Sequence, residues 1–223
     1  MKIVFDTGVL ISFSDTCLIS ILHNLKEKFD EFILAPAVKF ESLDKSNQNM
    51  RFKLSTYRIR KQMDSLTFTV YKGSKELENR RNQILEIANS LFSLRGHDLN
   101  IMHYGEAECL ALLSLTNAKY LAIDERTTRM LLEEPNALID VFTRKYNTSK
   151  ISFDKKRYNK LKELIGEVYV IRSSDLIAFS YENNLCGNAV TNKDELKAAL
   201  YALKFSGCSV SFEEIEEYIG QIR

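Results

Sequence analysis

The run Lys2-Ile3-Val4-Phe5-Asp6 constrains this chain more than any other stretch of it. It reads as a buried strand that ends on an aspartate, and the small-residue turn Thr7-Gly8 leads into further apolar sequence. In an open α/β sheet, ligands bind outside the carboxyl ends of the strands. A carboxylate at that point is costly to pack and easily put to use. Residues 120–124 (YLAID) repeat the pattern, a second apolar strand ending on Asp124. In a parallel sheet the two strand ends lie on one edge, which brings Asp6 and Asp124 within reach of one ion.

Residues 31–35 and 167–171 are further strand candidates, and helical sequence separates all four. With only 8 Gly and 2 Pro among 223 residues, a turn-rich β sandwich is disfavoured. Alternating strands and helices predict an α/β fold with a central parallel sheet and helices on its faces. No apolar run approaches the ~20 residues that span a bilayer. The amino terminus lacks the pattern of a secretory signal, so a cytoplasmic location and no membrane partner are expected. Cys17, Cys109, Cys186 and Cys208 have no paired ligand spacing, and reduced buried thiols are the expectation.

Helices are predicted over 9–25, with a break near Ser14-Asp15 and Asp15 as a cap, and from Pro36 through Leu43. The polar stretch 44–99 reads as a helical hairpin projecting from the core, with helices over 50–66 and 75–94 and a β-like run at 67–71. Residues 136–165 form a second polar elaboration. Helices also cover 105–116, 125–133, 192–203 and 211–222, and another follows the 167–171 strand, capped by Ser173 or Ser174. Ser211 and Glu214 have capping-box spacing.

Helices that enter the same sheet edge carry further acids: Glu41, and Glu106 and Glu108 at the start of the 105–116 helix. Hard divalent cations take oxygen ligands, and three or four carboxylates without histidine or cysteine suit magnesium or manganese. Such a site supports metal-assisted hydrolysis of a phosphodiester, in which no protein nucleophile is required. At ~100° per residue, Glu106 and Glu108 point to opposite sides of their helix, so one ion cannot engage both squarely. Glu106 lines up with Leu110 and Leu113 on the inward face and is the favoured third acid. Glu108 is then a solvated residue or a secondary ligand, and Glu125 an early-helix acid.

The segments FDTGVLIS, VKFE, GEAECLAL and YLAIDERTTR resemble, in order, the acidic motifs of PIN-domain nucleases, and VYVIRSSDLIAFSYENN resembles the last strand and helix of that fold. The resemblance implies a three-layer α/β/α domain with helical insertions that binds Mg2+ or Mn2+ and cuts single-stranded RNA. By position, Asp6, Glu41, Glu106 and Asp124 match the four catalytic, metal-binding acids. Many members carry Asn or Ser where this chain has Gly8, so one side-chain contact is missing here. The implied organisation is a PIN-like domain over 1–184, with inserts at about 44–99 and 136–165, and a C-terminal helical extension over 185–223. Many small PIN proteins are toxins held by an antitoxin, so an antitoxin-like protein partner and a homodimer are compatible with the resemblance.

Basic residues cluster on both inserts with aromatics among them, as single-stranded nucleic acid binding requires. Arg58, Arg60, Lys156, Arg157 and, after Asp124, Arg129 are the candidate substrate-binding residues. Solvated helix faces and surface salt bridges are the plain alternative for each. Asp-Thr-Gly also opens the active loop of aspartic proteases, but those are glycine-rich all-β folds. An aspartate-nucleophile phosphatase would need a second acid two residues after Asp6, where Gly8 stands. The rival that survives is a catalytically silent PIN-like module that binds RNA or a protein.

Overall fold

The protein is described from a computed structural model covering residues 1–45, 49–148 and 150–222. Five strands form a parallel sheet: β1 (Lys2–Phe5), β2 (Glu31–Leu34), β3 (Thr69–Val70), β6 (Tyr120–Ala122) and β8 (Tyr169–Ile171). Their spatial order is β3-β2-β1-β6-β8. Helices flank the sheet in a three-layer α/β/α arrangement. Strand β1 is central, and Ile3, Val4 and Phe5 are fully buried, as expected where helices cover both faces. Phe5 pairs in register with Leu34 on one side and Ala122 on the other. The rings of Phe32 and Phe68 pack on Phe5 at centroid distances of 4.8 and 5.4 Å.

The helices are α1 (Thr7–Asp15), α2 (Ser20–Leu25), α3 (Pro36–Lys39), α4 (Lys53–Asp64), α5 (Lys75–Ala88), α6 (Tyr104–Thr116), α7 (Arg126–Glu133), α8 (Ala137–Tyr146), α9 (Lys155–Ile165), α10 (Ser173–Glu182), α11 (Lys193–Phe205) and α12 (Phe212–Gln221). Helix α6 lies against β1 and β6, while α10 packs with α1, α2 and α11. Among the described residues, no helix is long and apolar enough to cross a membrane.

Several local expectations change. Asp15 ends α1 and accepts a hydrogen bond from the Ser55 hydroxyl, tying α1 to α4, and it caps nothing. Arg172 occupies the N-cap of α10, where its backbone N–H donates to Asp175 at 2.8 Å, and Ser173 turns elsewhere. Ser211 does form its capping box, with Glu214 N–H donating to its hydroxyl at 3.0 Å. Three of the four cysteines are buried, and Cys17 is exposed.

The largest difference concerns 44–99, which does not project as a hairpin. Helix α4 packs on α1, and β3 extends the main sheet. Helix α5 buries the stripe Leu77, Arg81, Ile84 and Ala88 and lies along α6 and α9. It stops at Ala88, and β4 (Phe92–Leu94) begins a second sheet with β5 (His97–Asp98) and β7 (Ile151–Phe153) in the order β5-β4-β7. Arg95 and Gly96, at φ 53° and 84°, make the two-residue turn between β4 and β5. The two polar elaborations therefore meet in one small antiparallel sheet. Its core is Phe92, stacked on Phe153 at 4.8 Å and edge-on to Phe142 at 5.2 Å.

Truncating that ring tests the packing. Phe92→Ala is expected to cost about 3–5 kcal/mol, the usual range for a buried phenylalanine, measured by urea denaturation. A loss below about 1 kcal/mol would mean that the second sheet contributes little to the fold.

Candidate active site

Backbone pairing builds the site first. Asp6 N–H donates to the Ala122 carbonyl at 2.9 Å, and Ile123 N–H donates to Ile171 at 2.9 Å. These bonds carry the sheet one residue past each strand and fix Asp6 and Asp124 on the same edge. Both are buried, at 7% and 3% exposure. Asp6 is the N-cap of α1 and accepts from Gly8 N–H at 3.0 Å. Gly8 lies between the two acids: a Cβ there would sit 3.3 Å from an Asp6 carboxylate oxygen and 3.9 Å from Asp124 Cβ.

Glu41 is carried by a wide π turn, Phe40–Lys45, that continues α3, and accepts from the Thr7 hydroxyl at 2.9 Å. Its carboxylate lies against Gly105, where an added Cβ would meet Glu41 Oε2 at 3.2 Å. Glu106 caps its own helix, accepting from His103 N–H at 2.8 Å, and also accepts from the Thr128 hydroxyl at 3.0 Å. Asp6, Glu41 and Glu106 line one recess of about 460 Å3, together with Thr7, Ile11, Asn49, Phe52, His103 and Gly105.

Asp124 is not among the described residues that line this recess. Its two oxygens accept from Ser173, one from the backbone N–H at 2.8 Å and one from the hydroxyl at 2.5 Å. Glu108 takes a structural part that sequence reasoning did not give it. It is 4% exposed, not solvated. It accepts from Ala37 N–H at the start of α3 at 2.7 Å and pairs with buried Arg81 at 3.3 Å. Glu125 caps α7, accepting from the backbone of Thr127 and Thr128 at 2.9 and 2.6 Å.

Electrostatics sets the recess apart. Burial, with the negative charges of Glu106 and Glu41 nearby, pushes Asp6 up to about 7, against the lowering effect of the Gly8 hydrogen bond. Burial likewise raises Glu106, with Glu125 adding to the effect. No lysine or arginine is among the described residues lining the recess. Nor do any three Asp, Glu, His or Cys side chains among the described residues close tightly around one point. The donors are carboxylate oxygens backed by hydroxyls, a set that suits a hard divalent cation. Burial, with Asp6 nearby, raises the Cys109 thiol well above its usual value, so it is held protonated and is no nucleophile.

None of the five basic candidates lines the recess. Arg58 donates to the Ser14 carbonyl at 2.7 Å. Arg129 reaches Ser209 and pairs with Glu133 at 3.1 Å. Arg157 donates to Ser90 at 3.2 Å and pairs with Asp154 at 3.4 Å. Arg60 and Lys156 are exposed. Sequence reasoning missed Thr7 and Thr128 as residues that position carboxylates. Thr7 gave a signal by directly following the strand-end acid, whereas nothing marks Thr128.

A family model for the PIN domain matches residues 2–136, more than half of the 223-residue chain. The chain belongs to the PIN-domain family. No curated protein and no solved structure matches it. PIN domains are in general nucleases that use divalent metals. In this PIN protein, the matched span contains β1, α6 and β6, and with them Asp6, Glu41, Glu106 and Asp124.

The raised Asp6 gives a signed prediction. Its folded value of about 7 lies above the ordinary 3.8, so the neutral carboxyl stabilises the fold fully below about pH 4, and that contribution is lost as pH rises through 7. In metal-free buffer, Asp6→Asn is expected to raise the melting temperature at pH 8 by several degrees and to give little gain at pH 4–5. Thermal melts with EDTA check this, and an equal shift at both pH values would contradict it.

Proposed function

We propose that this PIN protein is a metal-dependent endoribonuclease that hydrolyses phosphodiester bonds of single-stranded RNA, with Asp6, Glu41, Glu106 and Asp124 holding Mg2+ or Mn2+. The observation that carries the reading is the gathering of Asp6, Glu41 and Glu106 in one recess with no lysine or arginine among its described lining residues. Burial, with the like charges of Glu106 and Glu41 adding to it, disfavours the Asp6 carboxylate, and a divalent cation relieves that cost. The bound metal would neutralise charge on the phosphate and ease deprotonation of the attacking water.

The chain's own residues hold the carboxylates in place. The Thr7 hydroxyl orients Glu41, His103 N–H and the Thr128 hydroxyl orient Glu106, and Ser173 orients Asp124. Each Asp124 oxygen keeps a second lone pair, so its bonds to Ser173 leave it able to ligate. Glu108, committed to Arg81 and Ala37, is left out of the ligand set. For substrate phosphates, exposed Arg60 and Lys156 are better placed than Arg58, Arg129 and Arg157, whose guanidinium groups already have protein partners. We also take residues 1–184 as the PIN-like domain and 185–223 as an extension packed on it, in keeping with α11 lying against α10.

One observation favours the rival reading of a silent binding module: among the described residues, no three potential ligands close around a single point. Two measurements separate the readings. Mn2+ is expected to raise both the melting temperature and ribonuclease activity, and Asp6→Asn and Asp124→Asn should each lower that activity at least about 100-fold. Full activity in either variant sinks the nuclease assignment. Metal that changes neither stability nor cleavage favours the silent module.

A further inference from the structure

A second cleft borders the carboxylate recess, and Glu41 stands in the wall of both. It measures about 520 Å3 and is lined by Pro36, Ala37, Phe40, Glu41, Tyr104 and Glu108. Its two aromatic rings are held out of the core, Phe40 at 57% exposure and Tyr104 at 49%. A lone exposed ring needs no explanation. The mounting of Tyr104 does. Arg81, itself only 8% exposed, sits over one face of the Tyr104 ring, its guanidinium carbon 4.0 Å from the centroid, and donates to the Tyr104 hydroxyl. Glu108 fixes Arg81 at 3.3 Å, and Ala37 N–H fixes Glu108 at 2.7 Å. A buried chain of bonds therefore sets the ring from behind while half of it stays open. A platform fixed in advance loses little side-chain freedom when a ligand stacks on it.

Both rings are also tied to the acids along the chain. Phe40 directly precedes Glu41 and opens the π turn, and Tyr104 starts α6 two residues before Glu106. Whatever enters this cleft sits beside a phosphodiester held at the carboxylates. With aromatic rings and the carboxylate of Glu41 in its walls, the cleft suits a flat, uncharged group and disfavours a phosphate. We infer that Phe40 and Tyr104 form a subsite for a nucleobase flanking the scissile phosphate, and that this subsite selects unpaired strands. A base inside a duplex is stacked on its neighbours and cannot reach such a platform. The inference rests on the nuclease reading of the adjacent recess.

The test uses the full-length protein with Mn2+ and a short single-stranded RNA, intact or with abasic residues flanking the cleavage site. KM and kcat are read from cleavage, and Kd from fluorescence anisotropy. Tyr104→Ala and Phe40→Ala should each raise KM and Kd for intact RNA roughly 5- to 150-fold, the range for one stacked base, with a much smaller change in kcat. Tyr104→Phe, which keeps the ring, should restore binding. The unsubstituted protein should prefer intact to abasic RNA by a similar factor, and Tyr104→Ala should lose that preference. Unchanged KM and Kd in both alanine variants overturns the subsite, as does an equal loss on intact and abasic RNA. If the unsubstituted protein does not cleave, the nuclease reading fails. The anisotropy comparison then decides separately whether the rings bind a base.

Discussion

The pairing of β1 with β6 is the interaction on which the rest depends. Parallel register sets Phe5 beside Ala122, and the bond from Asp6 N–H to the Ala122 carbonyl extends the ladder to the strand end. A slip of one residue would turn every side chain of β1 to the opposite face and move Asp6 off the edge it shares with Asp124. The apolar residues that enforce this register, Ile3, Val4, Phe5, Leu121 and Ala122, are all fully buried. The hydrophobic core thus places the carboxylates, and their own electrostatics opposes the placement.

The buried acids of this edge are handled in contrasting ways. Glu108 is held inside the protein by Arg81 and by the Ala37 N–H at the start of α3, a finished arrangement that leaves nothing for a ligand. Asp6 accepts from Gly8 N–H, Glu106 from His103 N–H and the Thr128 hydroxyl, and Glu41 from the Thr7 hydroxyl, and these neutral donors fix orientation. Hydrogen bonds of that kind offset only part of the cost of burial, and Asp6 remains shifted upward in spite of them. Glu106 and Glu108, two residues apart on one helix, show the two outcomes side by side.

Four of the five main-sheet strands were legible as short apolar runs, because buried parallel strands need no alternation, whereas the two-residue β3 was assigned to the hairpin. Helix geometry also separates Glu106 from Glu108, and the structure has Glu106 lining the recess and Glu108 paired with Arg81. The second sheet was not legible. Strands of two or three residues, such as His97–Asp98 and Ile151–Phe153, are too short to show a period of two, and the helical pattern of α5 ran on visually into Phe92. The partners of Arg58, Arg129 and Ser173 were hidden for another reason. Ser14, Ser209 and Asp124 lie 44, 80 and 49 residues away in sequence, and no local pattern encodes such contacts, unlike the Arg129–Glu133 pair four residues apart.

The small antiparallel sheet bears on where this protein can be divided. Its middle strand, β4, lies inside the span matched by the PIN family, and its partner β7 lies beyond residue 136. Strand β8, which borders β6, and Ser173, which grips Asp124, also come after that limit. A fragment cut where the family match ends would leave a sheet edge bare, strip Phe92 of its stacked neighbour and loosen one of the four acids. The span matched by the family and the span tied together by these contacts end at different places in this molecule.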